Sequence, residues 1–243
     1  SPRLYHRHEI NRTLLTPWIT WSGAAAQALS APDNLLSRMP GVDRVAAGYE
    51  LLYRLGKDYE KPAFGISSAV AHGREAAVIE ERTLELPFCR LLHFKRCSDD
   101  PDALAELRAD PVVLVVAPLS GHHATLLRDT VRTLLRDHDV YITDWIDARM
   151  VPLDQGAFGL DDYIGMMRRF IGLLGARRLH VMSVCQPTVP VLAAVSLMAA
   201  AGEPTPLSLV LMGGPIDPSR CPTKVNDLAT TKPYSWYETN VVF

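Results

Sequence analysis

Between residues 112 and 212 the sequence alternates short apolar runs with longer amphipathic segments, and this alternation constrains the fold more than any other feature. The first run, residues 112–117, is continuously apolar, which is typical of a strand covered on both faces of its sheet. Strands followed by helices at this spacing indicate βαβ crossovers and a mostly parallel, doubly wound sheet. The predicted strands are 112–117, 140–143, 179–182 and 207–212, and the predicted helices are 126–136, 160–174 and 187–201.

The first part of the chain has a different pattern. Residues 1–66 carry apolar side chains at helical spacing, with Pro17 expected to start or kink a turn. Residues 77–86 and 89–94 predict two strands joined by a short turn. We therefore expect an N-terminal helical extension, residues 1–66, followed by an α/β domain, residues 67–243.

The most informative segment is residues 179–187, Leu-His-Val-Met-Ser-Val-Cys-Gln-Pro, where a predicted strand runs directly into a predicted helix. Cys185 lies on the turn between them, which is the position of the nucleophile in a G-x-S-x-G elbow. Ser183 occupies the small position before it, and Pro187 stands where glycine is usual. Proline suits the first turn of a helix, because its fixed φ is helical and its missing N–H has no partner there. The segment predicts an α/β-hydrolase fold with Cys185 as the nucleophile.

Two backbone amides are candidates for an oxyanion hole. The amide of Gln186 lies at the N-terminus of the predicted helix, which also stabilises the negative charge of a thiolate. The second donor is expected in the loop after residues 112–117, where Ser120 or a neighbour offers a main-chain N–H and Gly121 permits an unusual backbone conformation. The alternative for this loop is an ordinary turn with exposed histidines, His122 and His123.

The catalytic partners of Cys185 are not evident. In this architecture the acid and then the histidine follow the nucleophile, but residues 186–243 contain no histidine. Asp217 follows the last predicted strand without a histidine to orient. We therefore expect the sheet to be cut short after its sixth strand, and the triad acid and histidine to lie outside this chain.

Composition excludes several functions. The net charge is −2 and the basic residues are scattered, so nucleic acid is not an expected partner. The four cysteines form no CxxC pair, and we expect no metal, cofactor or disulfide. The longest apolar stretch, residues 189–201, is too short to span a membrane and contains Pro190. The first thirty residues lack the apolar run of a signal peptide, so a cytoplasmic location is expected.

Several segments resemble intracellular polyhydroxyalkanoate (polyhydroxybutyrate) depolymerases: residues 49–55 and 61–66, the loop 116–122, the elbow 184–192, and residues 143–145, 160–164 and 213–217. The resemblance implies an α/β-hydrolase with a cysteine–histidine–aspartate triad that cleaves amorphous polyester at the surface of storage granules. It implies that Cys185 is the nucleophile, and that the family's acid and histidine lie beyond Phe243. It therefore also implies that this chain alone is inactive, and that location and partner are the cytoplasmic granule surface.

Two other interpretations stay open. A polyhydroxyalkanoate synthase also uses a cysteine on this fold, but it carries glycine where this chain has Pro187. A non-catalytic granule-associated protein would use Trp18 and Trp21 to bind polyester. The acyl acceptor is water or a thiol such as coenzyme A. The apolar faces of residues 4–29 and 45–55 further predict a homodimer.

Overall fold

The computed structural model describes residues 2–120 and 123–242, which fall into two compact units. The larger unit is Lys61–Pro218, and the smaller one joins the residues up to Glu60 with those from Ser219 onward. The division at residue 66 into an extension and an α/β domain stays a prediction.

The larger unit is built on one seven-stranded sheet. The strands are β1 (Ser68–Ala71), β2 (Arg74–Glu85), β3 (Cys89–Cys97), β4 (Val112–Val116), β5 (Asp139–Trp145), β6 (Leu179–Val184) and β7 (Ser208–Met212). The first three strands are joined by antiparallel pairing, and β3 continues antiparallel onto β5. The other strands pair in parallel, β5 with β4, β4 with β6, and β6 with β7.

The strand order is β1-β2-β3-β5-β4-β6-β7, so β4 lies between the two strands that follow it in the chain. The crossover from β4 to β5 runs to one side, and the crossover from β5 to β6 returns to the other side of β4, which makes the carboxyl end of β4 a topological switch point. A mostly parallel, doubly wound sheet with an antiparallel N-terminal edge confirms the predicted α/β-hydrolase fold. The sheet has one strand more than the six that were predicted, because β1 was missed.

Helices cover both faces of this sheet. All five residues of β4 are buried, as its continuous apolar run predicted. One core cluster contains Met167, Phe170 and Ile171, and the other contains Val131 and Leu135. The helices are α3 (Pro101–Ala109), α4 (Arg128–Leu134), α5 (Leu160–Leu174) and α6 (Thr188–Ala200). A 3-10 turn, Ala124–Leu127, precedes α4, so the predicted helix 126–136 is shorter than expected.

The smaller unit is helical. Its first helix, α1 (Pro2–Ser30), continues through Pro17. The expectation that Pro17 starts a turn was therefore wrong. A second helix, α2 (Val42–Gly56), packs closely against α1 at Gly23, where an added Cβ would lie 2.7 Å from the Tyr53 ring. The unit also contains a 3-10 turn (Leu35–Arg38), α7 (Lys224–Thr231), α8 (Tyr234–Tyr237) and a π-helical turn (Glu238–Val242).

Among the helices of residues 2–120 and 123–242, none combines the length and the apolar character that a bilayer crossing requires.

Candidate active site

Cys185 lies at the apex of the turn that joins β6 to α6, one residue after the strand ends. Its φ is 66°, in the left-handed region that residues other than glycine rarely adopt. Within the described part of the chain, His72 is the other non-glycine residue with a positive φ. The Cys185 side chain is exposed to solvent. A strained backbone that presents a nucleophilic side chain at a strand-to-helix turn is the geometry of a nucleophile elbow.

Hydrogen bonds on both sides hold this conformation. The Cys185 N–H donates to the Met212 carbonyl at 2.7 Å, so the end of β7 fixes the amide. The Cys185 carbonyl accepts from the Thr188 N–H at 3.2 Å and from the Thr188 hydroxyl at 2.8 Å. Thr188 is fully buried, and a Cβ added at Gly214 would overlap its side chain. The elbow is therefore locked between the first turn of α6 and the chain that leaves β7.

Pro187 is the residue immediately before α6, with φ −67° and ψ −7°, so the helix begins one residue later than predicted. These are helical angles, and proline imposes this φ without a conformational cost. Ser183, two residues before Cys185, is fully buried on β6. Its hydroxyl has no hydrogen-bond partner among the described residues.

The two candidate oxyanion loops are bonded to each other. The Leu119 N–H donates to Oε1 of Gln186 at 3.2 Å, which joins the loop after β4 to the residue after Cys185. Gln186 and Ser120 are both exposed. Across residues 2–120 and 123–242, no acceptor pairs with the N–H of either residue. Both amides are thus available to a ligand, whereas Gly121 and His122 of the predicted loop lie outside the described residues.

An apolar cavity of about 370 Å³ lies beside this pair of loops, with Leu119 and Gln186 in its wall. Its other lining residues come from the start of α5, from α6 and from the segment after β7. They are Phe158, Gly159, Leu160, Tyr163, Val189, Pro190 and Pro215. This lining suits an aliphatic group attached to a carbonyl held at the elbow.

A cluster of polar side chains includes Tyr163, one of the residues that line the cavity. Asp144, at the end of β5, is an ion-pair partner of Lys61. Burial raises the pKa of the Cys89 thiol, and the nearby Asp144 carboxylate raises it further. Burial also raises the pKa of Tyr163, whose hydroxyl has no hydrogen-bond partner within the described part of the chain. Sequence reasoning missed the Lys61–Asp144 pair, which joins residues far apart in the chain.

The histidines of the larger unit are mostly engaged elsewhere. His72 bonds Asp110, and His93 bonds Asp139, at the edge of the sheet opposite Cys185. His138 bonds Asp137, and His180 bonds Ser208.

His123 lies in the loop after β4, at the same edge as Cys185. In the described residues, no histidine ring is hydrogen-bonded to Cys185, and no group of three metal-ligating side chains comes together.

Comparison with known proteins gives matches in structure only. No protein-family profile matches the chain, and no curated protein sequence matches it.

Among solved structures, the chain is similar to a hormone-sensitive lipase from a metagenome library, with 16% identity, 88% of this chain covered and a TM-score of 0.42. It is similar to an esterase/lipase from an uncultured bacterium, with 14% identity, 92% coverage and a TM-score of 0.41. An esterase from Rhizomucor miehei shares 12% identity over 86% of this chain, with a TM-score of 0.39. The chain spans 62%, 67% and 61% of the lengths of these three proteins, respectively.

Proposed function

We propose that this chain supplies the nucleophile, Cys185, of a carboxylic ester hydrolase that cleaves polyhydroxyalkanoate. The observation that carries the proposal is the positive φ of Cys185 at the strand-to-helix apex. A non-glycine residue in this region costs about 1–3 kcal/mol and persists only where its surroundings enforce it. Here the hydrogen bond that Cys185 donates to Met212 and the one it accepts from Thr188 enforce it, and packing alone does not explain why a non-glycine residue is held in this conformation.

The proposed chemistry begins with the transfer of the Cys185 thiol proton to a general base, which the family resemblance implies is a histidine. The sulfur then attacks the ester carbonyl, and the N–H groups of Gln186 and Ser120 donate to the oxygen that becomes negative. The tetrahedral intermediate collapses, the C–O bond breaks, and the alcohol end of the polymer leaves with the proton. Water attacks the resulting thioester, releases a 3-hydroxy acid and restores the thiol.

Two features support a polyester as the substrate. The cavity beside the elbow is lined largely by apolar side chains, which suits a short aliphatic repeat unit with no charge. In the smaller unit, the side chains of Trp18 and Trp21 are 67% and 53% exposed, as expected of anchors on an apolar surface. On this proposal the protein works at the surface of cytoplasmic polyester granules.

The test is release of 3-hydroxybutyrate from amorphous poly(3-hydroxybutyrate) granules. A preparation that contains this chain together with the acid and the histidine that the family resemblance implies should release the acid. In that preparation Cys185→Ala should abolish release, and Cys221→Ala, which removes another exposed cysteine, should leave it unchanged. Equal release by Cys185→Ala and by the unmodified protein would refute the proposed nucleophile. No release by any form, with granule binding lost in a Trp18→Ser/Trp21→Ser variant, would favour a non-catalytic granule protein.

An acyltransferase would differ in its substrate rather than in its nucleophile. The same preparation should form no polymer from 3-hydroxybutyryl-CoA, since Pro187 stands where synthases carry glycine. Polymer formation that depends on Cys185 would replace the proposal with a synthase-like function. Release that depends on added coenzyme A would identify a thiol, and not water, as the acyl acceptor.

The exposed apolar side chains of α1 and α2 also lead us to propose a homodimer. Light scattering at micromolar concentration should give twice the mass of one chain, and a monomer at that concentration would refute the dimer.

A further inference from the structure

A second cavity, of about 540 Å³, lies at the amino edge of the parallel strands. Its wall includes His93 and Lys95 from β3, Arg108 from α3, Asp139 from the start of β5, and Arg178 from the 3-10 turn before β6. Cys185 follows the opposite end of β6, roughly 20 Å away at about 3.3 Å per residue along the strand. The cavity is therefore separate from the candidate active site.

Positive charge dominates this cavity. Lys95 is paired with Glu81 at 3.2 Å, and Asp139, the single carboxylate in the wall, is bonded to His93 at 2.7 Å. Arg108 and Arg178 have no carboxylate partner within residues 2–120 and 123–242. The chain as a whole has a net charge of −2, so two unpaired guanidinium groups beside one cavity are a local excess of positive charge.

A buried arginine, Arg96, holds the backbone next to Arg108 in place. Arg96, which also lines the cavity, is buried and forms an ion pair with Asp110 at 2.8 Å. Its Nη2 donates to the carbonyl of Leu107, the residue before Arg108, at 3.2 Å. The Arg96 Nε is buried and has no partner among the described residues. The end of α3 is thus tied to β3, so Arg108 is carried on an anchored backbone.

We propose that this cavity binds a small molecule bearing a phosphate group. A guanidinium presents a planar fork that matches phosphate oxygens, and two of them neutralise the dianion that a phosphate monoester forms near neutral pH. The cavity lies within the range of roughly 300–1,000 Å³ that is usual for small-molecule sites, so it admits more of the ligand than its phosphate. The partly exposed ring of His93, stacked on Tyr141 with centroids 4.2 Å apart, supplies an aromatic wall for the rest of the ligand.

The experiment is calorimetric titration of the whole chain with inorganic pyrophosphate as the probe. Saturable binding should be seen, and Arg108→Ala and Arg178→Ala should each weaken it by about tenfold or more, the usual effect of losing a charge-assisted hydrogen bond. Arg169→Ala removes an exposed arginine of α5 that lies outside the cavity, and it should leave binding unchanged. Arg108→Lys and Arg178→Lys keep the charge but lose the fork, and should give intermediate affinities.

Several results would overturn the proposal. No saturable binding of pyrophosphate with a Kd below about 1 mM, in a chain shown by circular dichroism to be folded, would remove it. Equal weakening by Arg169→Ala would show that the probe responds to total charge. Citrate binding as tightly as pyrophosphate would assign the site to carboxylates instead. Because the cavity lies far from Cys185, each of these outcomes is independent of the ester hydrolase proposal.

Discussion

Replacing Gly214 by alanine tests whether the chain after β7 locks the nucleophile elbow. Gly214 does not have a positive φ, so the substitution adds no backbone strain. The new methyl group would instead overlap the side chain of Thr188, which is fully buried and has no room to retreat. Thr188 donates two hydrogen bonds to the Cys185 carbonyl, so displacing Thr188 also displaces the elbow.

The expected cost follows from these contacts. Overpacking of a tight interior costs about 1–3 kcal/mol, and loss of a hydrogen bond to the Cys185 carbonyl adds about 1 kcal/mol. For a chain of this size each kcal/mol lowers Tm by roughly 2–4 °C. The control is Gly165→Ala on α5, where an added Cβ meets no atom within 4 Å. Because alanine is the better helix former, this control should raise stability by up to about 1 kcal/mol.

Two measurements decide the outcome. Urea denaturation of the two variants gives the free energy of unfolding, and the rate of Cys185 alkylation by iodoacetamide reports the position of the thiol. Gly214→Ala should lower the free energy of unfolding and change the alkylation rate of Cys185. Gly165→Ala should not lower the free energy of unfolding and should leave the alkylation rate unchanged. A Gly214→Ala protein as stable as the unmodified chain, with the same alkylation rate at Cys185, would refute this account of the elbow.

Three further predictions concern buried groups. Lys61→Met should destabilise the fold by about 2–3 kcal/mol in urea denaturation, because it leaves the carboxylate of Asp144, 3% exposed, without its cation; Lys61 is itself 32% exposed, which moderates the loss. The matched change Lys95→Met, in an exposed pair, should cost under about 1 kcal/mol, and equal losses would contradict the reasoning. Iodoacetamide should label Cys185 in the folded protein but label Cys89 only after denaturation, because Cys89 is buried with a raised pKa; peptide mass spectrometry checks this, and early labelling of Cys89 would contradict it. Burial raises the pKa of Tyr141 to about 12 from its ordinary value of 10.0, so its contribution to stability should be complete below pH 10 and decline as the pH rises towards about 12. Denaturation of Tyr141→Phe across that range should show a smaller decline, and an identical decline would count against the shift.

The elements with strong periodicity could be predicted from the sequence. Helix α5 has the bounds that its amphipathic pattern indicated, and β4 is buried along its length as its apolar run required. Strand β1 was missed because it is four residues long and forms by pairing with β2 across a tight turn. Helix α3 was missed although a local signal existed, since Asp100 caps its first turn and Pro101 begins it.

The candidate site also has local features, which the sequence predicts, and long-range contacts, which it does not. The place of Cys185 between strand and helix is a local property of the sequence, and the structure puts it at the apex of that turn. The bond between Leu119 and Gln186 joins residues 67 positions apart, and the ion pair of Lys61 with Asp144 joins residues 83 positions apart. Neither follows from local pattern, because only the order of strands in the sheet brings these residues together.

The most direct test of the proposed nucleophile is to trap its covalent intermediate. The protein is mixed with an activated ester of 3-hydroxybutyrate, quenched in acid within the first turnover, and digested for peptide mass spectrometry. We expect one 3-hydroxybutyryl group in thioester linkage on Cys185, lost on treatment with neutral hydroxylamine and absent from Cys185→Ala. An acyl group on any other residue, or ester cleavage that proceeds unchanged in Cys185→Ala, would contradict it.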